Sequence, residues 1–293
     1  IGVRLVGSEM CIRDRDNPYF GFPQMIRFAF HPSKRAIEKM NELKKHGVSL
    51  ALSALFKPQS IKKDTKTNRH QKFEHEEEIF DLLKIIDGTS SDSKLLGFLD
   101  YDKIKQGQMC RHIVMVLPYC ASCDAMEKII KDRALEFKNL GEYEILNISG
   151  VDAQHHFHTP TDIKNRIAKL ESEGKKTLTL TVNRMLTGST VEQWDTMIYL
   201  KDTASPQEYD QAIFRLQNQY VRELSDGTKV IKECLKPQTL LVDFDPHRLF
   251  TMQEQKSLIY NANTEKNGNS LLDKRIADEL RICLLYTSDA ADE

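Results

Sequence analysis

The sequence lacks the features that would send it to a membrane, to an oxidising compartment or to a fixed metal. No apolar run approaches the roughly 18 residues that cross a bilayer, and 40% hydrophobic against 29% charged residues is the balance of a water-soluble globular chain. Cysteine is scarce, six in 293 residues, too few for a disulfide scaffold. The expected location is therefore the cytoplasm. A formal net charge of −1 excludes a globally basic, nucleic-acid-coating protein. There is no G-x-x-x-x-G-K-[ST] loop. The nearest run, Gly174-Lys175-Lys176-Thr177, precedes an apolar segment instead of following one, so its glycine cannot cradle phosphates at a helix N-terminus. An acidic strand end of the D-E-x-H kind is missing too. The chain by itself is not expected to bind ATP with Mg²⁺ in the usual way.

The two ends are related to each other as DNA. Met10-Cys11-Ile12-Arg13-Asp14 can be written ATG TGT ATA AGA GAC. Its reverse complement, read one base out of frame with flanking bases added, is TGT CTC TTA TAC ACA TCT, which encodes Cys283 to Ser288. One inverted element read in two frames has the look of a translated library adapter. Residues 1–15 and 283–293 are set aside on that ground and are expected to pack poorly. Cys110, Cys120, Cys123 and Cys234 then remain, and the natural chain ends lie elsewhere.

Between these ends the texture changes once. Residues 17–30 are aromatic and punctuated by Pro and Gly, as a strand and its approach. Helical spacing runs from Ala36 to His46 and from Glu76 to Ile86, with a polar loop at 57–72. From Lys34 to Lys72 eleven Lys/Arg stand against Glu38, Glu42 and Asp64, a local +8 that suits either phosphates or a solvated face. From His112 short apolar runs alternate with helical patterns. The runs are 112–119, 143–149, 177–182, 195–200 and 239–244; the helices are 122–137, 162–172 and 206–222. A helix from Asp245 and another over 271–280 follow. Near-continuous apolar strands between helices predict an α/β fold, a three-layer sheet of about five mainly parallel strands.

The block from Thr177 to Leu200, followed by Ser205-Pro206 and Gln211-x-x-x-Arg215, carries the chemistry. It resembles the C-terminal RecA-like domain of superfamily-two helicases, in the branch associated with restriction enzymes. The likeness covers about residues 112–250. It implies a P-loop-NTPase-type sheet at 111–262, preceded at 16–110 by the end of a first motor domain and a helical connector, with the start of a following region at 263–282.

What the resemblance implies is half of an ATP-driven DNA motor. Its arginine finger would be Arg215, whose planar, permanently charged fork suits a γ-phosphoryl group. Gly188 would turn the chain near the nucleotide, and Gln211 would share a helix face with Arg215. The helicase pattern has a further Arg where Asn218 stands, and Gly where Gln217 stands; Arg222, further along, is a second nucleotide-site candidate. Ser149, Gly150, Arg166, Thr181 and Arg184 would hold the DNA backbone without reading sequence. ATP and Mg²⁺ belong to the full-length parent, and none is expected on this chain alone. The implied partners are DNA, the missing N-terminal motor domain and nuclease or methyltransferase domains or subunits; no membrane is implied.

Three further signals are weighed against plain structure. Cys120-Ala-Ser-Cys123 has redox or zinc spacing, yet no second Cys/His pair stands at finger spacing, so structural thiols are expected. His155, His156 and His158 lie in a loop without a placed carboxylate. Trp194 and Tyr199 could stack bases, but Trp194 opens a buried strand and core packing is the expectation. Against the motor stands a different class, a stand-alone α/β module that binds a nucleotide or phosphate without hydrolysis. A metal-dependent nuclease is a third class, for which the acidic pair Asp243 and Asp245 has no partners in the sequence.

Overall fold

The computed structural model describes residues 20–29, 51–59, 72–89, 97–151, 157–203, 205–225, 230–245, 248 and 285–286. Four strands form the heart of the sheet. They are β2 (His112–Val116), β4 (Thr177–Thr181), β5 (Thr196–Tyr199) and β8 (Gln238–Asp243). Each is buried at almost every position, so both of its faces are covered. The side chains split by parity. Ile113, Met115, Leu178, Leu180, Ile198, Leu240 and Val242 enter one core, whereas Val114, Val116, Met197, Tyr199 and Leu241 enter the other.

Helices cover both faces. The first core is closed by α2 (Glu76–Asp87), through Ile79, Phe80, Leu83 and Ile86, and by α4 (Cys120–Asp132), through Cys123, Met126, Ile129 and Ile130. The short α1 (Leu52–Leu55) and α3 (Asp102–Lys105) lie with them, contributing Leu52, Leu55 and Ile104. The second core is closed by α5 (Pro160–Ser172), through Ile163, Ile167 and Leu170, and by α6 (Pro206–Ile213), through Tyr209, Ala212 and Ile213. The result is the three-layer α/β architecture expected.

With β1 (Gln24–Ala29), β3 (Glu144–Asn147) and β9 (Leu285–Tyr286), the sheet has seven strands in the order β3-β4-β2-β5-β8-β1-β9. Every pairing in it is parallel. The five strands expected after residue 111 are all present. Two expectations are corrected at its far edge. Gln24–Ala29 is no tail of a separate domain: all six of its residues pair in register with β8, from Gln24↔Gln238 to Ala29↔Asp243. Leu285–Tyr286, within the presumed adapter, pairs with Arg27 and Phe28 of β1. It sits at the margin and not in the centre, because an open parallel edge offers unpaired N–H and C=O groups to any extended segment. Residues 1–15, the basic stretch 34–50 with most of the 57–72 loop, and the helices expected after residue 250 lie outside the described residues.

Local chemistry sets the helix limits. Thr159 and Asp162 form a reciprocal capping box and Pro160 opens the helix, so α5 begins two residues before the periodicity suggests. Ser205 caps α6 and Pro206 starts it. α6 was expected to reach Arg222 and does not. It tightens into a 3₁₀ turn at Phe214–Gln217, and Asn218, extended at φ −68° and ψ 141°, bonds the Arg215 carbonyl with its amide. The chain then leaves as an antiparallel hairpin, β6 (Val221–Ser225) with β7 (Val230–Cys234). Asp87, buried at the end of α2, accepts from the backbone N–H groups of Lys138, Asn139 and Leu140 at 2.8, 2.9 and 2.6 Å, tying the helical layer to the approach of β3.

A polar seam runs under the N-terminal ends of the strands. Asp195 accepts from the Arg111 and His112 N–H groups at 2.8 and 3.4 Å. Buried Lys236 donates to the carbonyls of Glu192 and Trp194 at 2.7 and 3.1 Å. Burial pushes the Lys236 ammonium down to about 8.

Two predictions concern stability. Ile198→Ala opens a hole in a fully buried layer and is expected to cost about 2–5 kcal/mol. Trp194, the one tryptophan and fully buried, gives the readout as a shift of its emission on urea titration. The second follows from Lys236. Its folded-state value lies below its unfolded one near 10.5, so its contribution is full above the unfolded value and is lost as pH falls through about 8. The urea midpoint of the wild type should therefore rise between pH 8 and 10 relative to that of Lys236→Met; parallel midpoints would refute the assignment.

Candidate functional site

Because all the sheet's strands run one way, all their C-terminal ends meet at one rim, the usual place for ligands in such sheets. Thr181 closes β4 there and is fully buried. Its hydroxyl donates to the Arg184 carbonyl at 2.8 Å, so the 3.0 Å contact with Ser149 is one in which Ser149 donates. Gly150 is buried, and its N–H is taken by the Asn147 side chain at 2.7 Å. A Cβ at Gly150 would stand 2.1 Å from the Asp124 carboxylate, so only glycine fits.

Arg184 reaches back across this rim. Its guanidinium donates to the Ile148 carbonyl at 3.1 Å and to the Phe157 carbonyl, clamping the end of β3 to the approach of α5. One of the expected DNA contacts is corrected here: Thr181 has no exposed surface and shapes the rim from within. Arg184 is half-exposed and gives two of its five N–H groups to internal carbonyls, so it braces the rim while part of its guanidinium stays open. Arg166 is exposed on α5 near Glu144 at the opposite end of β3, whose carboxyl is lowered first by its hydrogen bond from Lys175 and further by the Arg166 charge; Arg166 is not part of this rim. Ser149 remains half-exposed.

After Thr181 the chain makes a turn with two left-handed residues, Met185 at φ 68° and Gly188 at φ 70°. Open space surrounds Gly188. The Leu186 carbonyl within this turn accepts from Nε of Arg215 at 2.9 Å. Arg215 is half-buried and has no carboxylate partner among the described residues. The structure thus brings Arg215 to the Gly188 turn. Gln211 is half-buried on α6, while Arg215 belongs to the 3₁₀ turn after it, so the shared helix face drawn from a four-residue spacing is replaced by a bend. Arg222 is corrected as well: it is exposed on β6, opposite Glu233 in the hairpin, because the helix that was to carry it has ended.

Several residues of this region escaped the sequence reading. Lys201 bonds Asn183 at 2.9 Å and Glu208 at 2.6 Å, and Thr203 donates to Glu208 at 2.9 Å, linking the turn after β4 to the first turn of α6. The bond from Lys201 is the main reason that the Glu208 carboxyl lies below its ordinary range. Asp243, which looked isolated, accepts from the Tyr209 hydroxyl at 2.7 Å and pairs with buried Arg248 at 3.1 Å. Arg248 lies over the Tyr199 and Tyr209 rings, 4.7 and 5.5 Å from their centres. Burial raises the Asp243 carboxyl, against the pull of Arg248. This lock fastens α6 to β8, and no spacing rule would have linked its four residues. Trp194 is buried and donates to Thr179 at 3.3 Å, as core packing requires. Among the described residues no three His, Cys, Asp or Glu gather to hold a metal, and no helix is long and apolar enough to cross a membrane. His155 and His156 lie outside the described residues.

The chain has a relative among curated sequences. Over 147 residues, half of this chain, it is 26% identical to a Mycoplasma pneumoniae protein named "Putative type II restriction enzyme and methyltransferase RM.MpnORF110P C-terminus". The matched stretch is 19% of that protein's length. No protein-family model matches. Two solved structures align with it at 12% identity. The C-terminal part of the Fun30 ATPase domain aligns over 71% of this chain and 64% of its own, with a TM-score of 0.30. A Saccharomyces cerevisiae Dbp5 variant bound to RNA and ADP with beryllium fluoride aligns over 94% and 80%, with a TM-score of 0.22.

The two arginines of the rim should separate by stability. Arg184→Ala removes two bonds to carbonyls and is expected to cost about 1–3 kcal/mol. Arg215→Ala removes one bond at a half-exposed site and should cost under about 1 kcal/mol. Urea midpoints that reversed this order would show that Arg215 is the structural residue.

Proposed function

We propose that this chain is the second half of an ATP-driven DNA translocase or helicase of a restriction-modification system, completed by a preceding motor domain. The observation that carries the reading is Arg215, held by one backbone bond beside the Gly188 turn with no carboxylate to neutralise it among the described residues. Arg184 spends both terminal nitrogens on internal carbonyls, whereas Arg215 makes its bond through Nε. A fork left open in that way suits a side chain that meets phosphate charge from a second domain. The named relative supports the restriction-modification setting, and the lack of a phosphate-cradling loop in the sequence fits a half-site.

In this reading ATP with Mg²⁺ is cradled by the other domain and supplies the phosphoryl group. The residues of this chain do the rest. Arg215 offsets charge on the terminal phosphate, and the Gly188 turn allows backbone to come close. Gln211 lies one helical step before the finger. The Lys201–Glu208 tie and the Tyr209–Asp243–Arg248 lock hold α6, and so the finger, against the sheet. Ser149, half-exposed at the end of β3, would meet a DNA backbone without sequence preference, and buried Gly150 would shape the loop that holds it.

The chain alone is expected to hydrolyse no ATP above background; steady turnover would overturn the half-motor reading. Joined to a motor domain that carries a phosphate loop, Arg215→Ala should lower ATP turnover by about 10³-fold or more while DNA affinity stays within about twofold. If turnover persisted, the plain nucleotide- or phosphate-binding module would be the better description.

A further inference from the structure

The cysteine pair Cys120 and Cys123 is asymmetric in a way that spacing alone does not show. Cys120 is the first residue of α4 and is exposed, whereas Cys123 is fully buried in the core beneath it. The other described cysteines, Cys110 and Cys234, are buried and half-buried. The pair shares one helical turn; burial pushes the Cys123 thiol up, and a negative charge on Cys120 would raise it further, so the two sulfurs are electrostatic neighbours. A reachable sulfur beside a protected one is the arrangement in which a small oxidant meets the first and the second finishes the reaction.

We propose that Cys120 and Cys123 form a reversible redox pair, closed to a disulfide by a small-molecule disulfide of the glutathione type. The inference does not rest on the ATP reading. Cys120, as thiolate, attacks one sulfur of the reagent; the reagent's S–S bond breaks, and the leaving thiolate takes up the proton that Cys120 gave. Cys123 then loses its proton and attacks the Cys120 sulfur, expelling the second thiolate, which takes that proton. The protein loses two electrons and two protons, and one disulfide becomes two thiols.

The local geometry permits closure without unfolding the helix. Side chains three apart on a helix have Cβ atoms about 5–6 Å apart, and a disulfide needs about 3.5–4.5 Å. The first turn can give that ångström or so because it lies outside the regular ladder. No side chain caps α4 at Tyr119, and the N–H groups of Cys120 and Ala121 make no hydrogen bond among the described residues. Three contacts resist: Ser122 Oγ donates to the Phe56 carbonyl at 2.6 Å, and the Ser122 and Cys123 N–H groups both donate to the Tyr119 carbonyl, at 3.1 and 3.3 Å. Closing against them makes the bond easily reduced, so it suits regulation better than permanent stabilisation. The turn it would pull, Leu117 to Tyr119, belongs to the same rim as Thr181, whose carbonyl accepts from Leu117 N–H at 2.8 Å.

The test is to incubate the folded chain with oxidised glutathione, alkylate under native and then denaturing conditions, and map tryptic peptides. Both cysteines fall in the peptide 112–128. The expected product is that peptide two hydrogens lighter and unalkylated, restored by a dithiol reductant. Cys123→Ala should stop at a stable glutathione adduct on Cys120. Cys120→Ser should leave the Cys123 thiol free of adduct and alkylated only after denaturation, with the urea midpoint of wild type. A wild-type chain that accumulates the Cys120 adduct with Cys123 still a thiol would overturn the proposal, as would no oxidation, or native alkylation of Cys123 as fast as Cys120.

Discussion

Burial of the central strands on both faces is the constraint from which the rest follows. A strand such as Ile113-Val114-Met115-Val116 has no face to offer water. It therefore needs helices on either side, and helices on either side require crossovers that keep neighbouring strands parallel. Parallel strands in turn send every carboxyl end to one rim. The gathering of Ser149, Thr181, Lys201 and Asp243 at one edge is thus a by-product of hydrophobic burial, which chemistry at that edge can then use.

The fold was legible where that constraint is written along a single segment. Apolar runs near 112, 177, 195 and 239 became strands, and amphipathic spacing at 76–86 and 162–172 became helices. What was not legible depends on partners distant in the chain. β1 is a short stretch far from the other strands in sequence, and only its registry with β8 shows which sheet it completes. The end of α6 was misjudged for a local reason that could have been seen: Asp226-Gly227 between two alternating segments is a hairpin signal, and it argued against helix through Arg222.

The candidate site divides the same way. Ser149, Gly150, Thr181, Arg184, Gly188 and Arg215 are close in space, as their motif suggested, yet the motif could not say which side chains face inward. The Thr181 hydroxyl, fully buried, is taken up by a carbonyl and a second hydroxyl because a buried hydroxyl must find partners where it lies, and half-exposed Arg184 gives its terminal nitrogens to two carbonyls. Arg166 illustrates the converse: its residue type suits phosphate, but the direction of α5 places it toward the other end of β3.

The turn from Asn183 to Gly188 receives ties from three directions. Lys201 holds its first residue, Arg184 within it grips the backbone at Ile148 and Phe157, and the Leu186 carbonyl holds Arg215. Mechanically it is a junction. A load placed on the loop after β3 is delivered through Arg184 to the same piece of backbone that sets the position of Arg215, and a load on Arg215 returns by that route. The path is a few residues of main chain braced by side chains at each end, so the two loops are geared to one another.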